Sequence, residues 1–144
     1  MQIGNSKETR NYIVLLTNVL NRLSQDPATS LELQTATRTA LIAAASQQTI
    51  TDQGTMVDII YMLMELMRVT EQVTLDSARL VTSHIQDISA HFKEPSVPVS
   101  YSLDEWTVNA LVSLLSHALL ASFTHFVEGI QLTSHGIRTT TDLL

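Results

Sequence analysis

The stretch Met56-Val57-Asp58-Ile59-Ile60-Tyr61-Met62-Leu63-Met64-Glu65-Leu66-Met67 lies in the middle of the chain. Its apolar residues recur three and four positions apart, which places them on one face of an α-helix. We predict a helix that follows the connection at residues 49–54 and ends near Val69. Met56, Met64 and Met67 lie on the apolar stripe, where methionine commonly fills gaps in a core. An adaptable surface for a partner is the alternative role of the methionine group.

Three further segments show the same helical spacing, at residues 7–24, 30–47 and 75–92. A hydroxyl side chain precedes two of them and can accept a hydrogen bond from a free N–H of the first turn. We therefore expect Thr29 or Ser30 to cap the second helix and Thr74 to cap the fourth. In the first of these helices the predicted inward residues are Ile13, Leu16, Leu20 and Leu23, with Tyr12 and Val19 beside them. In the second they are Leu33, Ala36, Ala40, Leu41 and Ala44, and in the third they are Leu75, Ala78, Val81, Ile85, Ile88 and Phe92.

A fifth helix follows a linker that contains proline. Residues 93–101 include Pro95 and Pro98 and predict an extended internal linker. The next residues, Ser102-Leu103-Asp104-Glu105, fit a capping box, so we predict that helix five begins there. After Gly129, residues 130–133 fit a short strand or a frayed helix, and residues 134–136 indicate a turn.

The fifth helix has no charged residue over residues 106–127, which is long enough to span a membrane. Its composition instead favours a buried helix of a soluble bundle, because insertion into a membrane penalises polar positions. The polar residues Asn109, Ser113, Ser116 or His117, and Thr124 are predicted on one side, and Val108, Leu111, Val112, Leu115 and Leu119 on the other. A membrane anchor remains the alternative.

Composition sets the class of the chain. With 144 residues, 44% of them hydrophobic and 15% charged, residues 1–144 predict a single all-α domain, a bundle of about five helices with short connections. The net charge of −6 provides no basic surface for nucleic acid. The absence of cysteine excludes disulfides and sulfur-ligated metals. The polar start at residues 1–8 lacks the apolar segment of a signal peptide, so we expect either a cytosolic protein or a piece of a longer one.

No pattern in the chain is typical of catalysis or of metal binding. His84 and His91 are seven residues apart, and His117 and His125 are eight apart, whereas zinc-binding pairs on a helix are usually four apart. The acidic residues form no calcium loop, no serine lies in a nucleophile elbow, and the four glycines are too dispersed for a phosphate loop. We therefore predict no enzyme, no catalytic residue, and no metal or cofactor site.

The order of the helices resembles a known family over residues 9–92. The residues that carry the resemblance are Arg10–Leu23, Ser30–Leu41, Met56–Leu66 and Val73–Leu80. They are similar to the helical part of the ectodomain in polycystin-1-like proteins, namely the receptor-for-egg-jelly segment and the helical subdomain of the adhesion-receptor autoproteolysis domain. The cleavage tripeptide of that family has no clear counterpart, since His125-Phe126-Val127 and His135-Gly136-Ile137 are poor matches.

The resemblance implies a non-enzymatic, extracellular structural and interaction module of a polycystin-like membrane protein. Such a helical scaffold would contact protein partners or neighbouring domains of the same chain. The alternative is a small cytosolic adaptor that binds a partner helix in a groove, with the methionine-bearing third helix and the apolar fifth helix as contact surfaces.

Overall fold

The computed structural model describes the backbone of residues 4–91 and 104–143, and the side chains of residues 7–90 and 104–128. The described backbone forms five helices and contains no strand, which confirms the predicted all-α class. The helices are α1 (Gly4–Leu23), α2 (Leu31–Ser46), α3 (Gln53–Leu66), α4 (Leu75–His91) and α5 (Glu105–Leu143), and a short 3₁₀ turn (Thr70–Gln72) lies between α3 and α4. The predicted linker at residues 93–101 lies outside the described residues.

Side-chain caps explain where the helices begin. The Ser30 hydroxyl accepts a hydrogen bond from the Leu33 N–H at 3.3 Å, and the Thr74 hydroxyl accepts one from the Ser77 N–H at 3.1 Å. Both predicted caps are therefore confirmed. The Asp52 carboxylate caps α3 in the same way, 2.8 Å from the Thr55 N–H.

The fifth helix differs from its prediction at both ends. It begins at Glu105, because the Asp104 carboxylate accepts a hydrogen bond from the Thr107 N–H at 2.7 Å and so acts as the cap. Ser102 lies outside the described residues. At residues 130–133 the helical alternative is right and the short strand is wrong, and the predicted turn at residues 134–136 is wrong, since α5 continues to Leu143. Gly136 lowers helix stability by only about 1 kcal/mol, and no proline interrupts this segment.

The five helices pack in a ring. α1 contacts α2 and α3, α2 also contacts α4, α4 contacts α5, and α5 contacts α3, while α2 and α3 meet across the centre. The first two short connections thus join packed neighbours, as predicted. The connection from α3 to α4 does not, because the 3₁₀ turn buries Gln72 and Val73 and carries the chain across to α2 and α5.

The predicted face of α3 is confirmed as the centre of the core. Its buried residues include Met56, Ile59, Ile60, Met62, Leu63, Leu66 and the following Met67, all at most 1% exposed. Met56, Met62 and Met67 are buried in the core, and Met64 is partly buried against it. α4 buries Ala78, Val81, Ile85 and Ile88 as predicted, and Phe92 lies outside the described residues.

The predicted face of α2 is right only at its end, where Leu41 is buried and Ala44 is partly buried. Leu33 is 62% exposed and Ala36 and Ala40 are also exposed, whereas Gln34 and Arg38 are buried beside Leu41, Ile42 and Ala45. The helix is rotated because its two buried polar side chains find hydrogen-bond partners inside the bundle, which offsets the cost of their burial.

The predicted face of α1 is half right. Ile13 and Leu20 are buried, but Leu16 and Leu23 are exposed. Thr17 is buried in their place, and its hydroxyl donates to the Ile13 carbonyl at 2.6 Å. A threonine that satisfies its own hydroxyl within the helix can enter a core at little cost.

Candidate functional site

A buried arginine joins three helices and the 3₁₀ turn. The Arg38 side chain is fully buried. Its Nε donates to Gln72 Oε1 at 3.1 Å, and its Nη1 donates to both Asn21 Oδ1 and the Leu66 carbonyl at 2.9 Å. Because these acceptors belong to α1, the end of α3 and the 3₁₀ turn, one guanidinium from α2 connects four elements. We call Asn21, Gln34, Arg38 and Gln72 the Arg38 cluster.

Amide side chains extend this cluster in both directions. Gln72 Nε2 donates to Gln34 Oε1 at 2.6 Å, and Gln34 Nε2 donates to the Leu23 carbonyl at 3.0 Å, so the end of α1 is held to α2. Asn21 Nδ2 donates to the Glu65 carbonyl at 3.0 Å, which joins α1 to α3. Both amide groups of the glutamines are thus used inside the bundle, and the network fixes how these helix ends meet.

The charge of Arg38 is retained in the core. Burial lowers the pKa of Arg38 from 12.5 to about 10, and the carboxylate of Glu71 acts in the opposite direction. The guanidinium is therefore protonated at neutral pH. Its Nη2 has no hydrogen-bond partner among the residues that the structure describes. In this cluster the Arg38 guanidinium is a fixed cation that donates to carbonyl and amide oxygens. None of the residues of the cluster is a nucleophile or a general base.

An open cleft of about 890 Å³ lies beside the cluster. It carries both signs of charge, and two of its charged residues, Glu65 and Arg68, form an ion pair at 3.3 Å. The Ser24 hydroxyl in the cleft donates to the Asn21 carbonyl at 2.6 Å rather than to a base, so nothing activates it as a nucleophile. The lining residues are Asn18, Asn21, Arg22, Ser24, Gln25, Leu31, Glu65, Arg68, Val69, Glu71 and Gln72.

The histidines lie apart from this cleft. His84 is buried on α4, and burial lowers its pKa although the nearby Asp87 acts to raise it. A ring nitrogen of His117 lies 2.7 Å from the Ser113 carbonyl, within α5. His125 Nε2 lies 2.9 Å from the Val73 carbonyl and so connects α5 to the end of the 3₁₀ turn. In the part of the chain whose side chains are described, no three His, Asp or Glu residues are grouped to hold a metal ion.

The described side chains of the fifth helix, residues 105–128, are mostly exposed, which contradicts the prediction of a buried helix. Residues Glu105–Glu128 have a mean hydropathy of 1.6 and are long and apolar enough to cross a membrane, yet only 28% of the apolar window is buried. Small residues bring α5 close to the bundle, so alanines occupy its inward face while larger side chains point away. The inward residues are Thr107, Ala110, Leu114, Ala118 and Ala121.

Two apolar surfaces remain uncovered in the described part of the chain. The α5 outer face consists of Val112, Leu119, Leu120, Phe123 and Phe126, which are 53–63% exposed. The α1 stripe consists of Tyr12, Leu15, Leu16, Val19 and Leu23, which are 37–67% exposed. Such sets of neighbouring large apolar side chains on a soluble bundle usually mark an interaction site.

Sequence reasoning missed the Arg38 cluster, although the signal was present. Gln34, Arg38, Leu41, Ile42 and Ala45 recur three and four positions apart, but the two polar residues interrupt an apolar pattern and were left out of it. Arg38 is the only basic residue in α2, which makes it a candidate for an internal ion or hydrogen-bond site once its helical position is considered.

Comparisons with known proteins give one informative similarity. Over 119 residues, 83% of its length, the chain is 40% identical to polycystin-1-like protein 1 of Oryzias latipes. The chain spans 4% of the length of that relative. No family model matches the chain, and no solved structure matches it. The similarity supports a polycystin-1-like relationship.

Proposed function

We propose that this relative of polycystin-1-like protein 1 is a non-enzymatic, extracellular structural and interaction module of a polycystin-like membrane protein. In this proposal the bundle is a helical scaffold, and a neighbouring domain of the same long chain packs on the α5 outer face. Its place is the helical ectodomain region that the sequence resembles, the receptor-for-egg-jelly segment or the helical subdomain of the autoproteolysis domain. The 40% identity and the small share of the relative that is matched support a module within a much longer protein.

The observation that carries the proposal is the α5 outer face. Its five large side chains are each more than half exposed. Together they present roughly 600 Å² of apolar surface, close to the ~800 Å² that each partner contributes to a standard interface. Burial of this surface against another domain would remove it from water, and the hydrophobic effect would favour that contact.

The neighbours of α5 favour a protein rather than a bilayer as the cover. α4 packs along α5 and exposes Asp76, Arg79 and Asp87 on its own outer side. A bilayer that surrounded α5 would also surround these ionised side chains, each of which costs about 2.5–3.5 kcal/mol at the centre of a membrane. A docked protein domain has no such cost, because it needs to cover only the face of α5 that it contacts.

The chemistry of the described side chains supports a role without catalysis. Arg38 is committed to three hydrogen bonds inside the bundle, and the charged residues of the cleft include a mutual ion pair. The arrangement is that of a scaffold, in which polar groups hold helix ends together instead of facing a substrate.

Thiol labelling of the longer protein tests both parts of the proposal. The 144-residue chain has no cysteine, so a single introduced thiol adds a defined new signal over the unmodified protein. Ser83→Cys, at an exposed position of α4, should react with a membrane-impermeant maleimide on intact cells if the module is extracellular. Labelling that appears only after the cells are permeabilised would place the module on the cytoplasmic side.

A second thiol tests the docking. Ser116 is exposed on α5 between Val112 and Leu119, and Ser116→Cys changes its size little. We expect this thiol to react at least tenfold more slowly in the longer protein than in the isolated 144-residue chain. Ser83→Cys is the matched control and should react equally in both. Equal rates for Ser116→Cys in the two proteins would contradict a covered α5 outer face.

A further inference from the structure

A straight row of exposed residues runs along the α5 outer face. Its members follow one another at intervals of four, three, four and three residues, which is the heptad spacing of helices that pack side by side. At about 100° per residue, every member lies within about 40° of the direction of the first. The buried residues of α5 lie on the opposite side of the helix. We call this row the α5 seam, and it consists of Val112, Ser116, Leu119, Phe123 and Phe126.

The α5 seam contains holes of the kind that a second helix fills. Positions i, i+3, i+4 and i+7 of one set are all exposed, and they are Ser116, Leu119, Leu120 and Phe123. Four residues with this spacing form the hole that receives one side chain of a facing helix in knobs-into-holes packing. Serine is the smallest of the four, so its corner leaves the most room for that side chain.

The polar groups along this side of α5 do not require a polar partner. The Ser116 hydroxyl donates to the Val112 carbonyl at 2.8 Å, and the Thr124 hydroxyl donates to the Leu120 carbonyl at 2.9 Å. A hydroxyl that is bonded within its own helix can be covered by apolar groups at little cost. Residues 106–127 contain no charge, so α5 offers no counter-ion to a charged partner. The surface that matches α5 here is therefore apolar and uncharged.

We propose that the α5 seam packs side by side with a helix of the neighbouring domain, and that the facing stripe of this helix is apolar and uncharged. This inference rests on the proposed function, because it specifies the part of the partner that covers the α5 outer face. Val112 and Phe126 are 14 residues apart, or about 21 Å, so about four turns of the partner helix contact the seam. The chain spans 4% of the length of its relative, so a long stretch of the parent protein can supply this helix.

Thiol reactivity around α5 distinguishes a helix from a broader cover. A helix packs about 8–10 Å from its neighbour, so it covers the seam and leaves the sides of α5 open. Ser116 lies in the seam, whereas Thr124 lies about 80° away around the helix. Both residues are exposed, and both hydroxyls are bonded to the carbonyl four residues earlier, so Ser116→Cys and Thr124→Cys form a matched pair.

We expect the thiols of Ser116→Cys and Val112→Cys to react with a maleimide about tenfold more slowly in the longer protein than in the isolated 144-residue chain. The thiol of Thr124→Cys should react at nearly the same rate in both. Slow reaction of all three thiols in the longer protein would overturn the helix in favour of a broader cover. Equal rates at all three sites in the two proteins would overturn both the helix and the proposed function. Rates in the isolated chain that fall as its concentration rises would assign the seam to a second copy.

Filling the hole gives a second test. Ser116→Phe places a large ring where the side chain of the partner enters, and circular dichroism of the isolated chain confirms that the variant folds. In the longer protein this change should raise the reactivity of Val112→Cys about tenfold, to that of the isolated chain. Thr124→Phe adds the same ring outside the seam and should leave Val112→Cys protected. Continued protection in Ser116→Phe, or equal loss of protection in both variants, would overturn the packing of a helix on the seam.

Discussion

Replacement of Arg38 by methionine tests whether the Arg38 cluster stabilises the bundle. Methionine retains an unbranched apolar chain in a fully buried site but removes every donor of the guanidinium. Three acceptors then lose their partner, namely Gln72 Oε1, Asn21 Oδ1 and the Leu66 carbonyl. The substitution also removes the cost of keeping a charge in the core, which acts in the opposite direction.

The expected net effect follows from these two contributions. A hydrogen bond to a charged group contributes about 1.5–3 kcal/mol, and a buried acceptor left unpaired costs about 1–3 kcal/mol. Asn21 and Gln72 line the open cleft, where water can reach them, so the lower values apply. We expect Arg38→Met to lower the free energy of unfolding by about 3 kcal/mol, which for a domain of this size lowers the Tm by roughly 10 °C.

Thermal and urea unfolding, followed by circular dichroism, measure this change. Arg79→Met, at an exposed position of α4, is the control and should stay within about 0.5 kcal/mol of the natural chain. Arg38→Lys should be at least as destabilising as Arg38→Met, because a single ammonium cannot reach all three acceptors yet still buries a charge. An Arg38→Met chain as stable as the natural one would refute the argument that hydrogen bonds outweigh desolvation. Full stability in Arg38→Lys would show that the charge matters and the planar group does not.

Three further predictions concern the core, a buried histidine and a helix start. Leu63→Asp should abolish cooperative unfolding, because it places an unpaired charge at a fully buried position. Leu119→Asp, at an exposed position, is the control and should still unfold cooperatively. A normal melting curve for Leu63→Asp would contradict the assigned core. Burial holds the pKa of His84 below 6.5, so the unfolded chain binds the proton more readily and the free energy of unfolding falls as the pH drops through 6.5. The urea midpoints measured at pH 7.5 and pH 5.5 should therefore differ less in His84→Leu than in the natural chain. An unchanged difference would assign the pH effect to other groups. Gly54 lies in the first turn of α3, and a Cβ added there would be in ordinary van der Waals contact with Asp52 Oδ1, at 3.5 Å. Gly54→Ala should therefore raise the free energy of unfolding by about 0.5–1 kcal/mol, because alanine loses less backbone freedom than glycine on folding. A lower urea midpoint would show that the first turn of α3 needs glycine.

The helices that could be predicted well are those whose buried face is purely apolar. α3 and α4 bury most of the predicted residues, with Met64 and Leu75 only partly buried, because their apolar stripes coincide with the faces that meet the core. α2 could not be oriented by that rule, since Arg38 and Gln34 are buried through hydrogen bonds to residues 11 to 38 positions away. The spacing of Gln34 and Arg38 fits the buried face, but their distant partners are what make it possible to bury two polar side chains there, and those partners cannot be read from α2 itself.

The two outer helices show a different limit of sequence reasoning. α1 and α5 carry more apolar residues than the bundle covers, so periodicity alone cannot say which side faces inward. On α5 the bundle takes the alanines and leaves Phe123 and Phe126 exposed, and on α1 it takes Thr17 and leaves Leu16 exposed. The candidate interaction surfaces therefore emerged only when the packing of α2 and α3 against α1, and of α3 and α4 against α5, was known.

α5 is the longest of the five helices. Its 39 residues form a rod about 58 Å long, whereas the 14 residues of α3 span about 21 Å. The bundle contacts this helix from Thr107 to His125. His125 lies against the carbonyl of Val73, and Val73 follows Gln72 of the Arg38 cluster in the chain. Residues 129–143 continue the same helix for about 22 Å. α5 is thus one continuous helix that joins residues 129–143 to the contact between His125 and the Val73 carbonyl, beside the joint where the buried guanidinium holds the other helices together.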